Sequence, residues 1–157
     1  MARPQAAISA CLLGKRCRYD GSDNRDVKLL GKLEGYELIP FCPEDHCFGT
    51  PRPTMDLVET KQGIRALSNL TGADLSPPVE RYAADFFDAH PEIDLFIGKD
   101  RSPSCGVCSA RLYDREKQLI RSDASGLMAA EAKRRGIECW DAEDFVAAHP
   151  APPILGS

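Results

Sequence analysis

The chain has 157 residues, 43% hydrophobic and 28% charged, with a net charge of −4 and an isoelectric point near 5.4. That length is expected to form one domain around a single core, about residues 6–149, with a Pro-rich tail at 150–157. No apolar run approaches the ~20 residues that span a bilayer, and an acidic balance does not suit a surface that neutralises many phosphates, which argues against nucleic acid as a partner. Seven cysteines, an odd number behind an N-terminus with no long apolar leader, argue against a disulfide framework and for a reducing, cytoplasmic setting.

In chain order, residues 6–13, 36–41 and 93–98 are short apolar runs without clean alternation, the pattern of strands buried on both faces of a parallel sheet. Between and after them, helical spacing is read at 27–33, at roughly 56–70, and at 77–90, which opens on Ser76-Pro77 and closes before Pro91. A strand is expected at 110–113, a helix at 125–135 stopped by Gly136, a strand at 137–140, and a short helix at 142–148 capped by Asp141. This alternation predicts one α/β layer structure. Nothing in it specifies an oligomeric state.

Each of the first three runs ends in a cysteine-bearing loop: Cys11 in ISACLLGKRCRYDG, Cys42 in LIPFCPEDHCFGTPRP and Cys105 in LFIGKDRSPSCG. Turn residues stand beside each one, namely Gly14, Pro43, and Pro103 with Gly106. Neighbouring parallel strands would gather these loops outside their carboxyl ends, where open α/β sheets place ligands. Three thiolates there would bind a soft metal centre and leave it one ligand short. Cys105 and Cys108 also form a CxxC, which alone points to zinc or redox chemistry, and Cys17 or Cys108 could complete a four-sulfur site. A zinc or iron–sulfur binding module without turnover is therefore the second reading. Cys139 reads as core.

Glu44 and Cys47 follow Cys42 on the same loop, where a carboxylate can move protons and a thiol beside a positive centre favours its thiolate. The bland reading of the two is a solvated acid and a buried thiol. Ser102 and Ser104 bracket Pro103, where hydroxyls commonly satisfy turn backbone. The cluster Lys15, Arg16 and Arg18 and the pair Lys99 and Arg101 add positive charge near two of the cysteines. No P-loop, GxGxxG or GxSxG pattern is present, and the three histidines are given no role.

Taken together and in order, SACLLGKRCRYDG, PFCPEDHCFGTPRP, TGADL, KDRSPSCG and LYD resemble the thiouracil desulfidase family over residues 8–140. The resemblance implies a Rossmann-like, three-layer α/β domain with a mainly parallel sheet. It implies a [4Fe-4S] cluster held by Cys11, Cys42 and Cys105, and catalytic duty for Glu44, Cys47 and Ser102. The implied activity is hydrolytic, non-redox desulfuration of a 2- or 4-thiouracil-like base, with sulfur captured on the open iron and released as sulfide. FGTPRP and GSDNR depart from the more usual family sequence. No further segment follows of the kind found in members acting on thiolated transfer RNA, so a small thiolated base or nucleoside is the expected partner.

Overall fold

The computed structural model describes residues 3–22 and 24–149; the predicted Pro-rich tail lies outside them. In chain order the elements are β1 (Gln5–Ser9), a 3-10 turn (Ala10–Leu13), α1 (Val27–Lys32), β2 (Glu37–Phe41), α2 (Pro43–Phe48), β3 (Met55–Thr60) and β4 (Gly63–Ser68). They continue with α3 (Ser76–Ala89), β5 (Ile93–Gly98), β6 (Ala110–Tyr113), β7 (Leu119–Ala124), α4 (Leu127–Arg134), β8 (Glu138–Asp141) and α5 (Ala142–Ala148).

The three apolar runs become adjacent strands of a four-stranded sheet in the order β2-β1-β5-β8, with every pair parallel. Successive side chains of a strand face opposite ways, and both faces of this sheet are covered. On one side Ala6 and Ile8 of β1 and Leu95 and Ile97 of β5 pack with Leu29 of α1 and Phe145 of α5. On the other, Ala7 and Phe96 pack with Phe41, with Ala83 and Phe87 of α3, and with Met128, Ala129 and Ala132 of α4. The run read as a strand over 6–13 splits at Ser9, because the chain must leave the sheet there and coils into the 3-10 turn that carries Cys11.

The expectation of a mainly parallel sheet holds for this sheet, but a second one lies beyond it, in the order β4-β3-β6-β7. Its β3–β4 and β6–β7 pairs are antiparallel and only β3–β6 is parallel. The helix read at 56–70 is overturned by the first of these hairpins, whose register runs from Met55↔Ser68 to Thr60↔Gly63. Its apolar residues fit a helical stripe by spacing alone, yet the buried Met55 and Leu57 stand opposite the buried Ser68 and Ala66 across the hairpin, with Val58 buried beside them. The tight turn is fixed by Thr60, whose Oγ1 accepts the Gln62 N–H at 3.1 Å and donates to the Gly63 carbonyl at 2.8 Å. Val79 of α3 and Leu127 of α4 pack on this sheet, so the same two helices join both sheets. Among the described residues no helix is long and apolar enough to cross a membrane.

Candidate functional site

Because β2, β1 and β5 are neighbours, their carboxyl ends bring the three loops together. Cys11 sits in the turn after β1, Cys42 is the N-cap residue of α2 directly after β2, and Cys105 lies in the loop that follows β5. All three line one cavity of about 320 Å³, together with Cys17, Glu44 and Ser102. Cys17, which the sequence offered only as a secondary candidate, is almost fully buried there, with its carbonyl 3.7 Å from Cys42 Sγ. Tyr82 of α3 braces Cys42 by accepting its N–H at 3.2 Å.

Burial pushes the Cys11 thiol up from its ordinary value and the Cys105 thiol well up. The Cys17 thiol is pushed up to about 12, by burial first and then by Cys42. The charges of these thiols oppose one another, so ionising several at once requires a compensating cation. A soft metal group meets that requirement by displacing the protons. Among the described residues no three His, Cys, Asp or Glu side chains close on a site for one ion. Cys11, Cys42 and Cys105 nevertheless line one cavity, and a multi-iron group takes its thiolates on separate irons rather than at one ion. Cys11, Cys42 and Cys105, with Cys17 beside Cys42, are the residues that could hold it.

Glu44 reaches this cavity from the first turn of α2 and is held from two sides. Its Oε2 accepts from the buried Ser104 hydroxyl at 2.9 Å, and its Oε1 lies 3.6 Å from Arg52 Nε. Ser102 lines the cavity, while its Oγ accepts the N–H groups of Ser104 and Cys105 at 3.2 and 3.0 Å and so shapes the turn. Cys47 is half-buried on α2 and is not part of the lining; burial raises its thiol, then the charges of Cys42 and Glu44. The CxxC partners diverge: Cys105 is buried in the cavity, whereas Cys108 is exposed, 3.5 Å from Lys133 Nζ.

Residues 6–144 of the chain match the 2-thiouracil desulfurase family. The protein belongs to this family. The uncharacterized protein YbbK of Bacillus subtilis (strain 168) is 28% identical over 137 residues, 82% of this chain and 89% of that one. A solved structure, that of the [4Fe-4S]-dependent thiouracil desulfidase TudS, superposes with a TM-score of 0.72 at 31% identity, covering 93% of this chain and 95% of the other.

In this desulfurase-family chain Arg52 and Asp100 were not legible in the sequence as site residues, and Ser104 and Asp141 were read only as turn and cap residues. Asp100 lines the cavity, and burial raises its carboxyl. Asp141 was expected to cap α5, but its side chain makes no cap bond. Its buried carboxylate accepts from Val107 N at 2.7 Å, Cys108 N at 2.8 Å and Ser109 Oγ at 2.7 Å, and Asp100 accepts the Glu143 N–H of α5 at 3.0 Å in its stead. Asp141 therefore pins the downstream half of the Cys105 loop to the end of β8. An amide cannot serve three donors, since it turns one oxygen into a donor. Asp141→Asn should thus cost about 2–3 kcal/mol, the scale of hydrogen bonds to a charged group, read as a shift in the urea midpoint. A midpoint equal to wild type would show that the loop does not depend on this anchor.

Proposed function

We propose that this protein is an enzyme that removes sulfur from a thiolated pyrimidine such as 2- or 4-thiouracil, cleaving the C–S bond hydrolytically and without net electron transfer. The observation that supports this most is that Cys11, Cys42 and Cys105 open into the same cavity as Glu44. Family membership and the likeness to TudS point the same way. A volume of about 320 Å³ is at the small end of ligand sites, which suits a base.

In this reading Cys11, Cys42 and Cys105 hold a [4Fe-4S] cluster. Such a cluster, with one iron free of protein ligands, supplies a soft Lewis acid for a thiocarbonyl sulfur. Glu44, fixed by Ser104 through one oxygen, uses the other to take a proton from the water that attacks the ring carbon. Ser102 still has its hydroxyl proton to donate, because its oxygen serves the turn as an acceptor, and it orients the base from the cavity wall. Cys47, whose thiol feels the charges of Cys42 and Glu44, is with Ser102 a candidate to orient the base or protonate a ring nitrogen. The sulfur leaves as sulfide, and the setting is the cytoplasm.

Cys17 supports a second reading, in which four sulfurs close the metal centre and the protein binds without turnover. Iron and acid-labile sulfide content of protein handled without oxygen, measured beside sulfide release from 2- and 4-thiouracil, separates the two. Wild type and Cys17→Ser are expected to carry iron, and Cys42→Ala and Cys105→Ser to lose it. Iron loss on Cys17→Ser, with no sulfide release by fully loaded wild type, would favour the closed centre.

A further inference from the structure

Arg52, in the PRP segment after α2, takes no part in the reaction proposed above, yet it is built into the site. Its side chain is only 6% exposed although it lines the cavity. Three bonds anchor the guanidinium: Nη1 donates to the Gly49 carbonyl at 3.1 Å and to Thr50 Oγ1 at 2.8 Å, and Nη2 donates to the Cys17 carbonyl at 2.8 Å. The remaining edge carries Nε, which among the described residues is the one buried side-chain polar atom without a hydrogen-bond partner. It faces Glu44 Oε1 across 3.6 Å, beyond hydrogen-bonding distance but within reach of charge attraction.

A buried donor left unmade is costly, and here the cost coincides with an opportunity. Had Arg52 engaged Glu44 as a two-bond fork, both carboxylate oxygens would be occupied as acceptors. Because its outer nitrogens are tied to fixed acceptors, the guanidinium stays where it is and attracts Oε1 without consuming its lone pairs. Ser104 holds Oε2 from the other side. The carboxylate is thus aimed, with one oxygen left free to accept a proton.

We propose that Arg52 is a positioning residue for Glu44: the anchored guanidinium fixes the Oε1 lobe of the carboxylate at the cavity wall and leaves that oxygen open. This rests on the desulfuration reading, in which Glu44 carries the proton. It predicts that Arg52 acts on the rate only through Glu44.

The test is a double-mutant cycle on anaerobically loaded protein, with sulfide release from 4-thiouracil giving kcat and KM, and iron per chain as a separate readout. Arg52→Gln is expected to lower kcat about 10²-fold, the scale of a misplaced catalytic group, with iron content and KM near wild type. Arg52→Lys keeps the charge and is expected to fall between the two. In a Glu44→Gln background either substitution should change kcat by less than about threefold, because coupled residues are not additive. Equal fold losses in both backgrounds would overturn the proposal, as would iron loss in both Arg52 variants, which would mark a strut joining the Cys17 loop to α2. A Glu44→Gln enzyme as fast as wild type would instead remove the reading of Glu44 itself.

Discussion

The Gly98→Ala variant is expected to lose its capacity to load iron. Gly98 ends β5, and a Cβ there would sit 1.8 Å from the Cys105 carbonyl oxygen and 2.8 Å from its carbonyl carbon. The obstacle is backbone, so no side-chain rotation relieves it. Nor can the loop easily retreat. Cys105 N is bonded to Ser102 Oγ, Gly106 N to the Ser102 carbonyl at 3.0 Å, and the next two amides to Asp141. On the far side Gly126 touches the same strand of chain, where a Cβ would lie 2.5 Å from the Ser104 carbonyl carbon. The cost should exceed the ~1–3 kcal/mol usual for overpacking, and whatever movement relieves it carries a proposed metal ligand with it. Thermal unfolding and iron content check this together: Tm should fall by more than about 6 °C, and loading should fail. A Gly98→Ala protein with the wild-type complement of iron would show that Cys105 is not needed where it stands.

Glu44→Gln is expected to lower the rate of sulfide release by about 10²–10⁴-fold, the contribution of a positioned general acid–base group, while leaving iron content unchanged. The substitution preserves shape, and the amide oxygen can still accept from Ser104, so the loss isolates the charge and the proton-accepting oxygen. A rate within tenfold of wild type would transfer proton movement to another group. Asp100, the other carboxylate on the cavity wall, would then be the first to replace.

The meeting of Cys11, Cys42 and Cys105 was readable because each follows an apolar run, and parallel neighbours bring their ends together by topology alone. Cys17 could not be read the same way. Its position depends on a loop that folds back on itself through Cys17 N to Lys15 O at 2.9 Å and Arg18 N to Ser22 O at 3.1 Å, and on Arg52, which is 35 residues away. Cys47 shows the converse. Its spacing from Cys42 suggested a place on the cavity wall, but Pro43 starts a helix rather than a loop, and that helix keeps Cys47 off the wall while the charges of Cys42 and Glu44 still reach its thiol. The helix read at 56–70 failed because apolar residues at 57, 58, 64 and 67 satisfy both a helical stripe and a hairpin, and only pairing across the turn decides between them. Strand β7 gave no signal, since five of its six residues are exposed on the rim of the second sheet. Asp141 stands at the N-cap of α5 as expected, but its side chain serves elsewhere: a residue that begins a helix usually caps it, and only the tertiary structure supplied a stronger set of donors.

The cavity wall is shared between two scaffolds. The sulfur-bearing loops grow from the all-parallel sheet, whereas Thr54 and Met55 enter from the start of β3, in the sheet rich in hairpins. Exchange at Thr54 or Met55 would therefore reshape one wall of the cavity without touching the loops that carry Cys11, Cys42 and Cys105.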